Sequence, residues 1–300
     1  MRRRWLAFVL FVAMAPAAWA QTTQAVETES AYDGPMRRSS RCAAILFGLL
    51  LPTASPAFAQ QGTNVPELAA GRPGITESAG VAGPGVVQFE GGLELDVSRD
   101  AAAWSRTFLT PSVLRVGLSS RFEVRLSGDG LTVERTPSAR HSGLADLAVG
   151  AKYIVLDAKR AGVELAAIPA LNLPSGANHL SSHRYQPSLF VSLARDLPAG
   201  FDLGASAGTT WTRDPEQRRT RAASLAIGHP VVGAWSGYGE IAAADGDDGA
   251  VDWLGDAGLS RTIGRDAQID VELGHRLAGG APDWTFGAGL VIRHVSPRSR

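Results

Sequence analysis

The chain has 300 residues, 29 basic and 29 acidic side chains, and a formal net charge of +0. That balance argues against a basic surface for nucleic acid and against a polybasic patch for a membrane surface. One cysteine, Cys42, excludes a disulfide framework and a cysteine metal site.

The chain opens on two export signals in series. Residues 1–20 carry Arg2 to Arg4, an apolar run and Ala18-Trp19-Ala20. From Met36 the plan repeats: Arg37, Arg38 and Arg41, an apolar run from Ala43 to Leu51, then the small-x-small site Ala57-Phe58-Ala59. Export needs only one such signal. Residues 1–35 are therefore read as a mis-assigned N-terminal extension, 36–59 as the signal peptide and Gln60 as the mature N-terminus. The alternative is a start at Met1 with cleavage after Ala20. Cys42 precedes the apolar run, so it is not a lipoprotein anchor, and cleavage removes it. No stretch after residue 59 approaches eighteen apolar residues, so no transmembrane helix is expected. An exported chain of this kind is periplasmic, secreted, or an outer-membrane barrel.

Residues 60–84 show no alternation. They include Arg72, Pro73, Glu77 and several glycines, and read either as a linker or as a plug folded into a lumen. From residue 85 the pattern changes to period two, the mark of pleated strands whose side chains leave on opposite faces. Val87, Phe89, Leu93, Leu95 and Val97 oppose Gln88, Glu90, Glu94 and Asp96. Phe122, Val124 and Leu126 oppose Arg121, Glu123 and Arg125. Leu147, Val149, Ala151, Tyr153 and Val155 oppose Asp146, Ala148, Gly150 and Lys152. Ile269, Val271 and Leu273 oppose Gln268, Asp270, Glu272 and Arg276.

Tight turns alternate with longer polar links. The tight set is 118–120, 157–161, 197–200, 232–235 and 263–266. The longer set is 98–105, 136–142, 175–185, 212–221, 245–249 and 278–283. This layout predicts an all-β fold: a transmembrane antiparallel β-barrel of about twelve strands, of outer-membrane type, over residues 85–294, with 295–300 as a tail. Trp104, Trp211 and Trp284 fall at the outer ends of strands. Phe122, Tyr153, Phe201 and Trp235 fall at the inner ends, as interfacial aromatic belts do. A soluble β protein with scattered core aromatics is the competing reading. Pro111, Pro169 and Pro187 interrupt three of the proposed strands.

Five blocks in order, GRPGITESAGVAGPGVVQFEGGLEL (71–95), LRVGLSSRFEVRL (114–126), GLADLAVGAKYIVL (143–156), IPALNLPSG (168–176) and APDWTFGAGLVIRH (281–294), carry a further signal. Together they resemble the outer-membrane barrel family named for the meta-pathway of phenol degradation. The resemblance covers nearly the whole mature chain. It implies an outer-membrane channel or transporter for small organic solutes, aromatic or hydrophobic ones among them. Barrels of this type end on an aromatic residue; here His294 stands in that place, with Val295 to Arg300 after it.

No catalytic constellation emerges. His141 and Ser142 are adjacent, so on a strand they face opposite ways. His179, Ser181 and His183 lie in a polar link without an orienting carboxylate, and two histidines there lack a third metal ligand. The fragment from Asp245 to Gly249 lacks the distant Glu of a calcium loop. Neither enzyme activity, cofactor nor metal is expected. The inward, lumen-lining set is Glu90, Glu94, Asp96, Arg115, Arg121, Glu123, Arg125, Lys152, Glu164, Asp270, Glu272, Arg276 and Arg293. Charges of both signs either line a wet passage or pair across the interior and close it. Arg72 and Glu77 would find partners such as Glu94 or Arg125 if their segment enters the lumen. Expected partners are outer-membrane lipid, a small organic solute and the barrel assembly machinery, with no nucleic acid. The alternative function is a structural or surface-interaction barrel.

Overall fold

The computed structural model describes residues 68–100, 103–212, 219–245 and 250–296. The expected extension, the signal peptide, the start at Gln60 and most of the Asp245–Gly249 fragment lie outside the described residues.

Fifteen strand segments form one antiparallel sheet. They are β1 (Val86–Asp100), β2 (Ala103–Leu109), β3 (Ser112–Gly117), β4 (Phe122–Gly128), β5 (Leu131–Arg135), β6 (Arg140–Leu144), β7 (Leu147–Leu156), β8 (Glu164–Leu173), β9 (Gln186–Asp196), β10 (Asp202–Thr210), β11 (Thr220–Val232), β12 (Trp235–Asp245), β13 (Val251–Ile263), β14 (Ala267–Ala278) and β15 (Trp284–Val295). The sheet closes where β15 pairs with β1, from Val86 opposite Val295 to Val97 opposite Trp284. Closure joins the two ends of the wall, as backbone in hydrocarbon requires, and leaves a strand edge only at β6, which pairs with β5 alone.

Three pairs of segments are single strands with a break. β1 pairs with β3 along its first half and β2 along its second. β4 and β5 pair in the same way with β3 and β2, and β7 and β6 with β4 and β5. Joining 2 with 3, 4 with 5 and 6 with 7 gives a closed barrel of twelve strands. The breaks fall side by side. Thr110 N donates to Asp129 O at 3.0 Å and Ala145 N to Gly130 O at 2.9 Å. Gly130 is at φ +63°, and a Cβ there would stand 2.4 Å from the Thr110 carbonyl oxygen, so only glycine fits. Alternation slips by one residue at two of these breaks. On β4 the odd residues face inward (Glu123, Arg125), but on β5 the even ones do (Thr132). One extra residue flips every later side chain to the other face.

Several links differ from those read in the sequence. The link expected over 136–142 is a short hairpin turn, Thr136 N donating to Ala139 O, because β6 already begins at Arg140. The turn over 157–161 winds into one helical turn, α1 (Ala158–Ala161), capped by the Asp157 side chain. Pro111 sits in the break between β2 and β3. Pro169 and Pro187 lie inside β8 and β9, their strands continuing past the missing donors.

Outward positions are apolar and exposed, including Leu93, Val149, Ile227, Val271, Leu273 and Ile292. Trp104, Trp211, Trp253 and Trp284 stand exposed toward the outer ends of their strands, and Tyr153 and Phe201 toward the inner ends. Inward positions are polar. Gln88, Glu90, Arg115, Glu123 and Lys152 are each 0% exposed. This is an inside-out distribution relative to a soluble protein, with lipid replacing the solvent on the outer face.

Candidate functional site

The site is the lumen, and residues 68–85 run through it. Leu68 and Ala70 pack on Val291 of β15. The Ala69 carbonyl accepts from Gln88 Nε2 at 2.7 Å and Arg115 Nη1 at 2.6 Å. Next comes Arg72, laid against a gap in the wall. Gly92 and Gly289 face each other across β1 and β15. A Cβ on Gly289 would stand 2.0 Å from Arg72 Nε, and one on Gly92 2.3 Å from Nη1. Two opposed glycines thus make room for one guanidinium. Arg72 Nε donates to Asp270 Oδ1 at 3.1 Å, and its Nη2 lies 3.8 Å from Glu272 Oε1. Both of these carboxylates are on β14, whereas Glu94, the partner expected from the sequence, is on β1.

The segment then crosses to the other side. Gly74 N donates to Glu272 at 2.8 Å, Ile75 N to Glu240 at 2.6 Å, and Thr76 Oγ1 to Glu240 at 2.6 Å. Glu77, 0% exposed, accepts from Arg125 Nη1 at 2.7 Å and Lys152 Nζ at 2.9 Å. The Ser78 carbonyl accepts from Lys152 Nζ and Ser192 Oγ, and the Gly80 carbonyl from Arg115 Nη2. Ala82 N donates to Glu123 at 2.6 Å. At the exit, Gly83 O passes so close to Gly117 that a Cβ there would meet it at 1.7 Å. Residues from β1, β3, β4, β7, β9, β12, β14 and β15 hold the segment by turns.

Burial opposes the charge on Glu77, but Arg125 and Lys152 outweigh it and hold the carboxyl below its ordinary range. Arg115 binds two carboxylates: Nη1 to Glu90 Oε1 at 2.8 Å, and Nε and Nη2 to Glu123, each at 2.9 Å. Such forked, charge-assisted bonds fix geometry as well as charge.

Beyond this layer the lumen is acidic. Glu94, Asp96 and Glu272 lie within electrostatic reach of one another, Asp129 within reach of Glu94 and Asp96, and Asp256 within reach of Glu272. Thr285 Oγ1 donates to Asp96 at 2.6 Å, and the Tyr238 hydroxyl stands 3.4 Å from Glu272. Asp129, 6% exposed, has no hydrogen-bond partner for Oδ1 among the described residues. The facing wall is lined by small polar groups, Ser206, Thr210, Thr220 and Ser224. At the outer mouth the 174–185 link is tied to the wall by Asp146, which accepts from Gly176 N (2.8 Å), Ser182 N (2.9 Å) and Ser182 Oγ (2.8 Å). The rings of His141 and His179 stack above it, 4.5 Å apart. No group of three His, Cys, Asp or Glu among the described residues could hold a metal ion.

Of the inward set, Glu90, Arg115, Glu123, Arg125, Lys152, Asp270 and Glu272 meet each other or the segment. Glu94 and Asp96 lie in the acidic part. Glu164 stands beside Gly80. Arg121, Arg276 and Arg293 do not join the network. Arg121 lies at the inner rim, 3.8 Å from Asp157; Arg293 bonds Asp266 there at 3.0 Å; Arg276 bonds Asp283 at the outer rim. A strand end directs a side chain inward by parity yet places it beside a loop carboxylate. The inward set predicted from the sequence lacks Glu240 and Tyr238, although Tyr238-Gly-Glu240-Ile-Ala242 alternates and signals them, and it lacks Asp256, which stands between Gly255 and Ala257 on β13. Asp129 sits at a strand break, where parity gives no signal; Asp146, on the polar face by parity, sits at another and ties down the outer link.

The family model described as "Putative MetA-pathway of phenol degradation" matches residues 70–294. An outer membrane channel from Pseudomonas putida F1 superposes with a TM-score of 0.59 at 15% identity, over 72% of this chain and 98% of that one. This likeness establishes the shared fold. The KdgM porin matches at a TM-score of 0.45 and 10% identity, over 69% of this chain and 98% of that one. No curated protein sequence matches this chain.

Proposed function

We propose that this chain, which belongs to the family described as "Putative MetA-pathway of phenol degradation", is an outer-membrane channel for small organic solutes whose conduction is set by residues 68–85 acting as a lumen plug. The observation that carries the reading is how the segment is held. Its backbone bonds to wall side chains, and its two ionised side chains bond to charged wall groups, with few apolar contacts. Such contacts exchange for water at little net cost, unlike a hydrophobic core. The buried, unpaired Asp129 oxygen supports a hydrated chamber beyond the segment, because a dry interior would leave it costly. The family's description supports aromatic solutes as the class to test first. Outer-membrane lipid and the barrel assembly machinery are the partners this reading requires. Single-channel recording and liposome swelling on the refolded full chain test it. The full chain should conduct weakly, and deletion of 71–80 should raise conductance while heat-modifiable migration persists. Absence of conductance from both proteins would overturn it.

A further inference from the structure

The outward face of β2, β5 and β6 carries a row of arginines at the outer rim. Arg106 of β2 stands directly opposite Arg135 of β5, and Arg135 directly opposite Arg140 of β6. All three are exposed, and directly opposed residues of a sheet share a face. Like charges in this position repel and destabilise the pairing. The last two close the β5–β6 hairpin at its outer tip, where Thr136 to Ala139 make the turn. None of the three has a carboxylate within ion-pair distance among the described residues. Other rim arginines are satisfied: Arg221 forks onto Asp245, and Arg276 bonds Asp283. Arg99, nearby on β1, lies over the Trp104 ring at 5.4 Å.

Below the row the same face is apolar. Leu131 and Leu144 oppose each other across β5 and β6, exposed at 45% and 65%. They stand four residues further from the hairpin tip than Arg135 and Arg140, about 13 Å along the strand. Trp104, 49% exposed, stands on β2 two residues nearer the outer end than Arg106 and marks the interface there. The face is therefore amphipathic along the membrane normal, with acyl-compatible leucines inward and guanidinium groups at headgroup height.

We infer that this face binds a phosphorylated, acylated lipid of the outer leaflet, with its phosphates on Arg106, Arg135 and Arg140 and its acyl chains along Leu131 and Leu144. Phosphate takes forked hydrogen bonds from guanidinium and cancels the repulsion that the row creates. The chemistry selects a lipid over a free anion, because only a lipid also covers the leucine pair. The inference rests on the outer-membrane placement and not on channel activity.

Native mass spectrometry of the refolded full-length barrel in detergent, offered diphosphorylated lipid A, tests it. The wild-type barrel should retain the lipid. R106Q/R135Q/R140Q should lose affinity by about tenfold or more, as expected for several lost charge-assisted contacts. Fully dephosphorylated lipid A should be retained as weakly by both proteins, and excess inorganic phosphate should not displace the lipid. Arg160→Gln, at the inner end, controls for general loss of charge. Heat-modifiable migration confirms that the triple variant is folded; should it fail to fold, R135Q/R140Q at the exposed hairpin tip replaces it. Equal retention of diphosphorylated lipid A by wild type and triple variant, wild-type retention of the dephosphorylated lipid as strong as that of the diphosphorylated one, or full displacement by inorganic phosphate would each overturn the inference.

Discussion

The Glu77 carboxylate stands 2.7 Å from the Arg125 guanidinium, forty-eight residues away in the chain and on the opposite side of the turn that begins β1. Lys152 reaches the other oxygen of the same carboxylate at 2.9 Å. One acidic side chain thus neutralises two basic groups that stand as diagonal neighbours on the paired strands β4 and β7.

Removing that charge should free the segment. Glu77→Gln removes the carboxylate that Arg125 and Lys152 share, leaving Arg125 only its longer contact to Glu123 at 3.8 Å, a loss of about 3–5 kcal/mol for a broken buried pair. Single-channel conductance should rise, while folded and boiled samples still migrate differently. Unaltered conductance would place the segment's anchorage elsewhere.

The same carboxylate gives the segment a pH dependence. Its pKa in the docked state lies below that of a free glutamate, about 4.3. Docking is therefore favoured above the undocked value and weakens as pH falls through the docked one. Conductance of the wild type should increase on acidification below about pH 4. Glu77→Gln should show a smaller change over that window, since the group that titrates is gone.

The glycine pair that accommodates Arg72 should tolerate no side chain. Gly289→Val places carbons where the guanidinium lies, 2.0 Å from an ideal Cβ. Arg72 would be displaced from Asp270, and single-channel conductance should rise above the wild-type value. Unchanged conductance would show that Arg72 shifts within the lumen without loosening the segment.

Face should decide the cost of an added charge. Val149→Lys and Leu273→Lys put ammonium groups on the lipid side, where roughly 2–4 kcal/mol is lost near the midplane. Thr285→Lys faces Asp96 and should be tolerated, measured as urea midpoints of refolding into vesicles. Glu272→Lys also faces inward, yet it removes the acceptor of Gly74 N and a neighbour of Arg72. It should raise conductance without preventing assembly.

The strands were legible in the sequence because one physical rule acts on every residue of a barrel wall. Lipid outside and water or polar protein inside impose period two, and Val87 to Val97 or Gln268 to Arg276 obey it whatever they touch. The twelve-strand count followed from the same alternation and from the unequal links. The three adjacent breaks were not legible. Gly130 and Asp146 reset the parity by one residue, and a bulge has no periodicity of its own. For the lumen, sequence supplied the side of the wall but not the pairings. Arg72 with Asp270, and Glu77 with Arg125 and Lys152, join residues far apart in the chain, and only barrel closure fixes which strands face one another across the interior. Gly92 and Gly289 show this most plainly. Each reads alone as a weak strand residue, and the space for Arg72 exists only because closure sets one opposite the other.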